Sequence, residues 1–121
     1  MTYESYTTVK SRACPGVRFR VRRLSLARRM ELVRLIRETG EQLAFHMAGD
    51  SVIDAAHAAE IRTRMDALYI RWGLDEISGI TIDGEPVALD NLLDRGPDAL
   101  AREIVDTIKS ELFLDEDERK N

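Results

Sequence analysis

Cysteine is almost missing from this chain of 121 residues, since Cys14 stands alone. A single cysteine excludes an internal disulfide and fits a reducing compartment. Histidine is nearly as scarce. His46 and His57 are the only two, and a metal centre would need further Cys, His or carboxylate ligands at convergent spacing. The pair His57 and Glu60 lies at i, i+3, a spacing that chance often supplies. No apolar run approaches the roughly 20 residues needed to cross a bilayer, and no membrane partner is expected. The first residues, Met1-Thr-Tyr-Glu-Ser-Tyr6, lack the basic and apolar regions of a signal peptide, so a cytoplasmic location is expected. Gly73, Gly79 and Gly84 match neither a dinucleotide fingerprint nor a P-loop. The acidic run Asp115 to Glu118 lacks the glycine and spaced oxygens of an EF-hand loop. With no convergent acid, base, nucleophile or ligand set, the expectation is a non-catalytic protein without a cofactor.

Charge is present in quantity and unevenly spread. The overall balance is −4, yet residues 1–37 hold ten Lys or Arg against Glu4 and Glu31, a local +8. The remainder holds eight bases against twenty acids, or −12. A chain so divided can offer a basic surface to a polyanion, pair basic with acidic surfaces between copies, or set the two against each other within one fold.

The hydrophobic pattern predicts an α+β protein, mainly helical. It reads as an N-terminal β-hairpin, an antiparallel helix pair, a short second hairpin and a C-terminal helix. Val17, Phe19 and Val21 alternate with Arg18, Arg20 and Arg22, the period-2 mark of a strand with one buried face. Thr7 to Ala13 also reads as extended, and Cys14-Pro15-Gly16 supplies the turn between them. Ser25 is placed to cap a helix over about 26–47, with Gly40 a weak point inside it. Gly49-Asp50 closes that helix and Ser51 caps the next, which runs to Trp72 with Gly73 as its expected left-handed stop. Asp83-Gly84 is the dipeptide that type I′ hairpin turns prefer, and Pro86 confines the returning strand to an edge. Leu89 to Arg95 predicts a short helix closed by Gly96. Pro97 then opens a last helix with Leu100, Ile104, Ile108 and Leu112 on one stripe. A single domain over 1–114 is expected, followed by a flexible acidic end at 115–121.

Two groups of side chains stand out for function. The basic face of the first hairpin, Arg18, Arg20 and Arg22 with adjoining Arg23, is the candidate partner-binding surface, because phosphate contact needs clustered arginines. Against nucleic acid stands the lack of any base-reading signature and the inward direction of Phe19. A solvated or protein-facing strand is therefore the leading reading of that face. Tyr69 and Trp72, at i, i+3, are expected to close the core; exposed, they would instead serve as a partner anchor.

The order of these features resembles a known group. Cys14-Pro-Gly-Val-Arg-Phe-Arg-Val21 is followed by Leu24-Ser-Leu-Ala-Arg-Arg29 opening a helix, then Leu68-Tyr-Ile-Arg-Trp-Gly73, Ile82-Asp-Gly84 and Arg95-Gly-Pro97. Together they resemble the tail assembly chaperones encoded among the tail genes of bacteriophages and prophages. The resemblance implies a protein that binds the helical tape-measure protein, keeps it soluble and helps tail-tube subunits polymerise around it. It implies no catalytic residues and no cofactor, and leaves room for self-association. It also implies a longer form made by ribosomal frameshifting, and Lys120-Asn121 can be encoded within a slippery A-AAA-AAC run. A nucleic-acid-binding accessory protein using the arginine face is the alternative.

Overall fold

The computed structural model describes residues 1–49 and 51–120, apart from the side chains of 46, 47 and 113–120. The element order is β1 (Tyr6–Lys10), β2 (Arg18–Arg22), α1 (Leu26–Met47), α2 (Val52–Gly73), β3 (Leu74–Ser78), β4 (Thr81–Ile82), β5 (Glu85–Pro86), α3 (Leu89–Arg95) and α4 (Asp98–Lys120). The architecture is α+β and mainly helical, as the hydrophobic pattern predicts. Its contacts group the chain into two compact units, residues 1–24 with 69–121 and residues 25–68. The division falls inside α2, after Leu68. The acidic end expected to be flexible continues α4 as far as Lys120, while its side chains and Asn121 lie outside the described residues.

The first unit is built on an antiparallel sheet in the order β1-β2-β3. The expected hairpin is there, with Lys10 opposite Arg18 and Tyr6 opposite Arg22. Cys14, Pro15, Gly16 and Val17 make its turn: the Val17 amide donates to the Cys14 carbonyl at 3.0 Å, and Gly16 has φ 93°. Proline at the second position and a positive-φ glycine at the third are the requirements of a type II turn.

The third strand is not among the elements that the hydrophobic pattern predicts. Leu74–Ser78 pairs with β2, setting Phe19 against Ile77 and Arg20 against Glu76. Between Arg20 and Val21 the register shifts, because Val21 faces Leu74 and leaves Asp75 with no residue of its own opposite. Asp75 is thus a bulge residue. Val17, Phe19 and Val21 point away from the arginine face and are buried, with Leu100, Ile104, Val105 and Ile108 of α4 completing the core. Each fully buried side chain of this size contributes about 1.5–3 kcal/mol.

Gly73 does not act as the expected left-handed stop, since its φ is not positive. Its role is steric. A Cβ there would come within 2.9 Å of Ile108 Cδ1, so the missing side chain lets the end of α2 lie against α4. Trp72 beside it is buried, as expected. Tyr69 is half-buried, with Lys109 Nζ 5.3 Å from its ring centre.

The second hairpin has the predicted turn. Asp83 (φ 51°) and Gly84 (φ 81°) both take the left-handed region that a type I′ turn requires. Arg95 at the end of α3 reaches back to Asp83 at 2.8 Å and to Glu85 at 3.7 Å. Buried Asn91 ties the same pieces together from inside: its Oδ1 accepts from the Ala88 amide at 2.8 Å, and its Nδ2 donates to the Pro86 carbonyl at 3.0 Å.

In the second unit, the Ser25 and Ser51 side chains cap their helices as read from the sequence. Arg28 N donates to Ser25 Oγ at 3.3 Å and Asp54 N to Ser51 Oγ at 3.0 Å. Leu32 of α1 and Ala58 and Ile61 of α2 are buried. Asp50, read as part of the helix stop, lies outside the described residues.

Candidate interaction site

The strand pairing of β1, β2 and β3 places Tyr6, Thr8 and Lys10 on the same face as Arg22, Arg20 and Arg18. Period-2 alternation does this, because the other face is taken up by Phe19 and Val21. The face predicted from the sequence therefore exists, but it is not a field of open cations. Arg20 Nε donates to Asp75 Oδ2 at 2.7 Å, and its Nη2 lies 2.7 Å from the same oxygen and 3.2 Å from Glu76 Oε2. Arg22 Nη2 lies 3.3 Å from Asp75 Oδ1. The bulge makes this possible. It brings two consecutive acids to a side of the strand that regular alternation would give to one.

Beneath the guanidinium of Arg20, the Tyr6 ring sits 4.0 Å from its carbon, a cation–π stack. The hydrogen bond to Asp75 raises the Arg20 pKa further, against a smaller opposing effect of burial. Arg23 Nε donates to Thr7 Oγ1 at 3.1 Å, and its guanidinium carbon stands 5.8 Å from the Tyr3 ring centre. Arg18 is exposed and, among the described residues, makes no ion pair. So of the four arginines predicted to meet a partner, two are held by β3 carboxylates, one leans on Thr7, and Arg18 remains open.

A second arrangement has no counterpart in the sequence reading. Glu103 of α4 reaches the turn between β1 and β2. One carboxylate oxygen accepts from the Ser11 hydroxyl, and the other accepts from the Arg12 amide at 2.7 Å and the Ala13 amide at 3.4 Å. Ser11 Oγ in turn accepts from the Cys14 amide at 2.9 Å. Burial acts to raise the Glu103 pKa, but the Ser11 hydroxyl and the two amides outweigh it, and the carboxyl is held below its ordinary value. Cys14 is half-buried within this clamped turn, the turn residue that the sequence suggests.

No family model matches the chain, and neither a curated protein nor a solved structure matches it. Among the described residues, no three His, Cys, Asp or Glu side chains gather where they could hold a metal ion. His57 is exposed on α2, and the side chain of His46 lies outside the described residues. Among the described residues, no helix is long and apolar enough to cross a membrane.

The largest departure from an ordinary surface is on the helices of the second unit. Leu26, Met30 and Val33 are 76%, 75% and 56% exposed, and they recur at i, i+4 and i+7 along one side of α1. Val52 and Ile53 at the start of α2 are exposed as well. In the sequence, Leu26, Met30, Val33, Leu35 and Ile36 recur at near-helical spacing towards Leu43 and Phe45, and of these the structure exposes Leu26, Met30, Val33 and Phe45. Leu35, Ile36 and Leu43 of the same recurrence are half-buried, and Leu32, outside it, is buried. One helix carries two apolar stripes, and periodicity cannot say which one faces inward.

Proposed function

We propose that this chain is a non-catalytic binding protein whose client is an amphipathic helix, and that it serves as a phage or prophage tail assembly chaperone. In that role it binds the tape-measure protein and assists assembly of tail-tube subunits around it. The observation that carries the reading is the exposed stripe Leu26, Met30 and Val33 on α1. Apolar side chains at i, i+4 and i+7 are what a helix-to-helix contact uses, and water is a poor environment for them. Arg34 and Arg37 continue the same helix and give the stripe a basic border suited to an acidic-flanked client.

The experiment is co-expression with the tape-measure protein of the same tail operon. The reading expects a higher soluble yield of the tape-measure protein and co-purification, both lost on Met30→Glu. Unchanged solubility with no co-purification would overturn it. A nucleic-acid role for Arg18, Arg20, Arg22 and Arg23 is less well supported, because Asp75 and Glu76 already engage two of the four.

A further inference from the structure

The two edges of the three-stranded sheet are built differently. The β3 edge carries the bulge at Asp75 and two adjacent acids, devices that discourage strand pairing. The β1 edge has neither a bulge nor a proline. Its sequence, Tyr6-Thr-Thr-Val-Lys10, consists of residues that favour strands up to the final lysine.

The hydrogen bonds show which residues of β1 face outward. Arg23 N donates to the Ser5 carbonyl at 2.8 Å and Ser11 N to the Val17 carbonyl at 2.9 Å. In an antiparallel ladder, bonded pairs recur every second residue. Ser5, Thr7, Val9 and Ser11 therefore turn their amides and carbonyls toward β2. Tyr6, Thr8 and Lys10 turn theirs to the open edge, where no strand pairs with them among the described residues. The space beside them is open too: a groove of about 610 Å³ runs between Val9, Lys10 and Arg12 on one side and Arg102, Asp106 and Ser110 of α4 on the other.

We propose that β1 pairs with β1 of a second copy of this chain, antiparallel about a twofold axis at Thr8, joining two three-stranded sheets into one. The register follows from the residues. With Thr8 on the axis, Thr8 meets its own counterpart, a favourable hydroxyl pair, and Lys10 meets the Tyr6 ring of the other copy. Thr7 and Val9 meet on the opposite face. The three outward-facing residues of each strand then exchange about six backbone hydrogen bonds. Moving the axis to Lys10 would set lysine against lysine, and moving it to Tyr6 would lose the Lys10–Tyr6 match. This contact is independent of the helical client surface, since it uses the sheet edge alone.

Sedimentation equilibrium of the full chain tests the proposal. The wild type is expected to form a concentration-dependent dimer. Thr8→Pro removes an amide that points to the open edge, leaves the bonds to β2 in place, and is expected to weaken the dimer by about tenfold or more. Thr8→Lys and Thr8→Glu are each expected to be monomeric, with a helical circular dichroism spectrum like the wild type. Mixed in equal amounts, they are expected to form a heterodimer, which a misfolded variant would not do. A wild type that stays monomeric up to about 1 mM overturns the proposal. So does a dimer that survives Thr8→Pro and both charge variants, or a mixture that fails to associate.

Discussion

Glu103 and Ser11, 92 residues apart in the chain, are joined by a hydrogen bond from the serine hydroxyl to the carboxylate. The other oxygen of Glu103 takes the amides of Arg12 and Ala13, so one acidic side chain on the last helix organises the first turn of the protein. A turn held in this way keeps β1 aligned on β2, and with it the edge and the arginine face.

Glu103→Gln is expected to lower stability by about 1.5–3 kcal/mol, the range for hydrogen bonds to a charged group. The pH dependence has a definite sign. The folded carboxyl lies below its ordinary value, so its contribution is whole above that ordinary value and is lost as pH falls through the lower folded value. Urea titrations at neutral and acid pH read both effects. The wild type should lose this part of its stability in acid, and the Gln variant should have none to lose.

Asp75→Asn removes the charge that binds Arg20 and Arg22. All three side chains are partly exposed, so only a small loss of stability is expected. Polyanion binding should respond more. Anisotropy with a DNA duplex at low salt is expected to show tighter binding by the variant, with the salt slope steeper by about 1–2. Equal binding by both proteins would mean that these arginines are not held back by Asp75.

Gly73→Ala places a methyl against Ile108 and is expected to cost about 1–3 kcal/mol through overpacking. The nearest atom is Cδ1, which Ile108→Val deletes. The double variant should therefore be more stable than the sum of the single losses, a coupling that denaturant midpoints resolve.

Gly40 and Gly84 both face open space, yet alanine at each is expected to act in opposite directions. Gly40 lies inside α1, where alanine should stabilise by about 0.5–1 kcal/mol. Gly84 has φ 81°, and alanine there should destabilise by about 1–2 kcal/mol. Thermal melts of the two variants should move apart, Gly40→Ala upward and Gly84→Ala downward.

Local signals were the legible part of this fold. Ser25 and Ser51 as caps, Asp83-Gly84 as a turn, Leu89 to Arg95 as a short helix and the Leu100–Ile104–Ile108 stripe each depend on residues close in sequence. The rest depends on residues far apart. Leu74–Ser78 does not read as a strand, because two adjacent acids interrupt its alternation and it follows α2 with no turn residue between. Its pairing with β2 is what makes it one. The Glu103 clamp has no sequence signature, since a serine and a glutamate 92 positions apart look ordinary until the chain folds. The arginine face was legible as a surface, but its neutralisation was not, because that requires β3. The outward stripe of α1 was not legible for a related reason: two apolar stripes on one helix are told apart only by what each packs against.

The bulge at Asp75 also resolves a mismatch of phase. Helix α2 ends at Gly73 and strand β3 begins at Leu74, so no loop separates a 3.6-residue repeat from a two-residue repeat. Both sides are pinned, with Gly73 against Ile108 and Ile77 opposite Phe19. Without Asp75, Leu74 and Glu76 would already alternate correctly along the strand. The surplus residue lets helix and strand each keep its own rotation, and it spends that freedom on the carboxylate that quiets Arg20 and Arg22. Deleting Asp75 should spare the ladder and instead turn the end of the helix, so the damage would be felt at Trp72 and Gly73 rather than in the sheet.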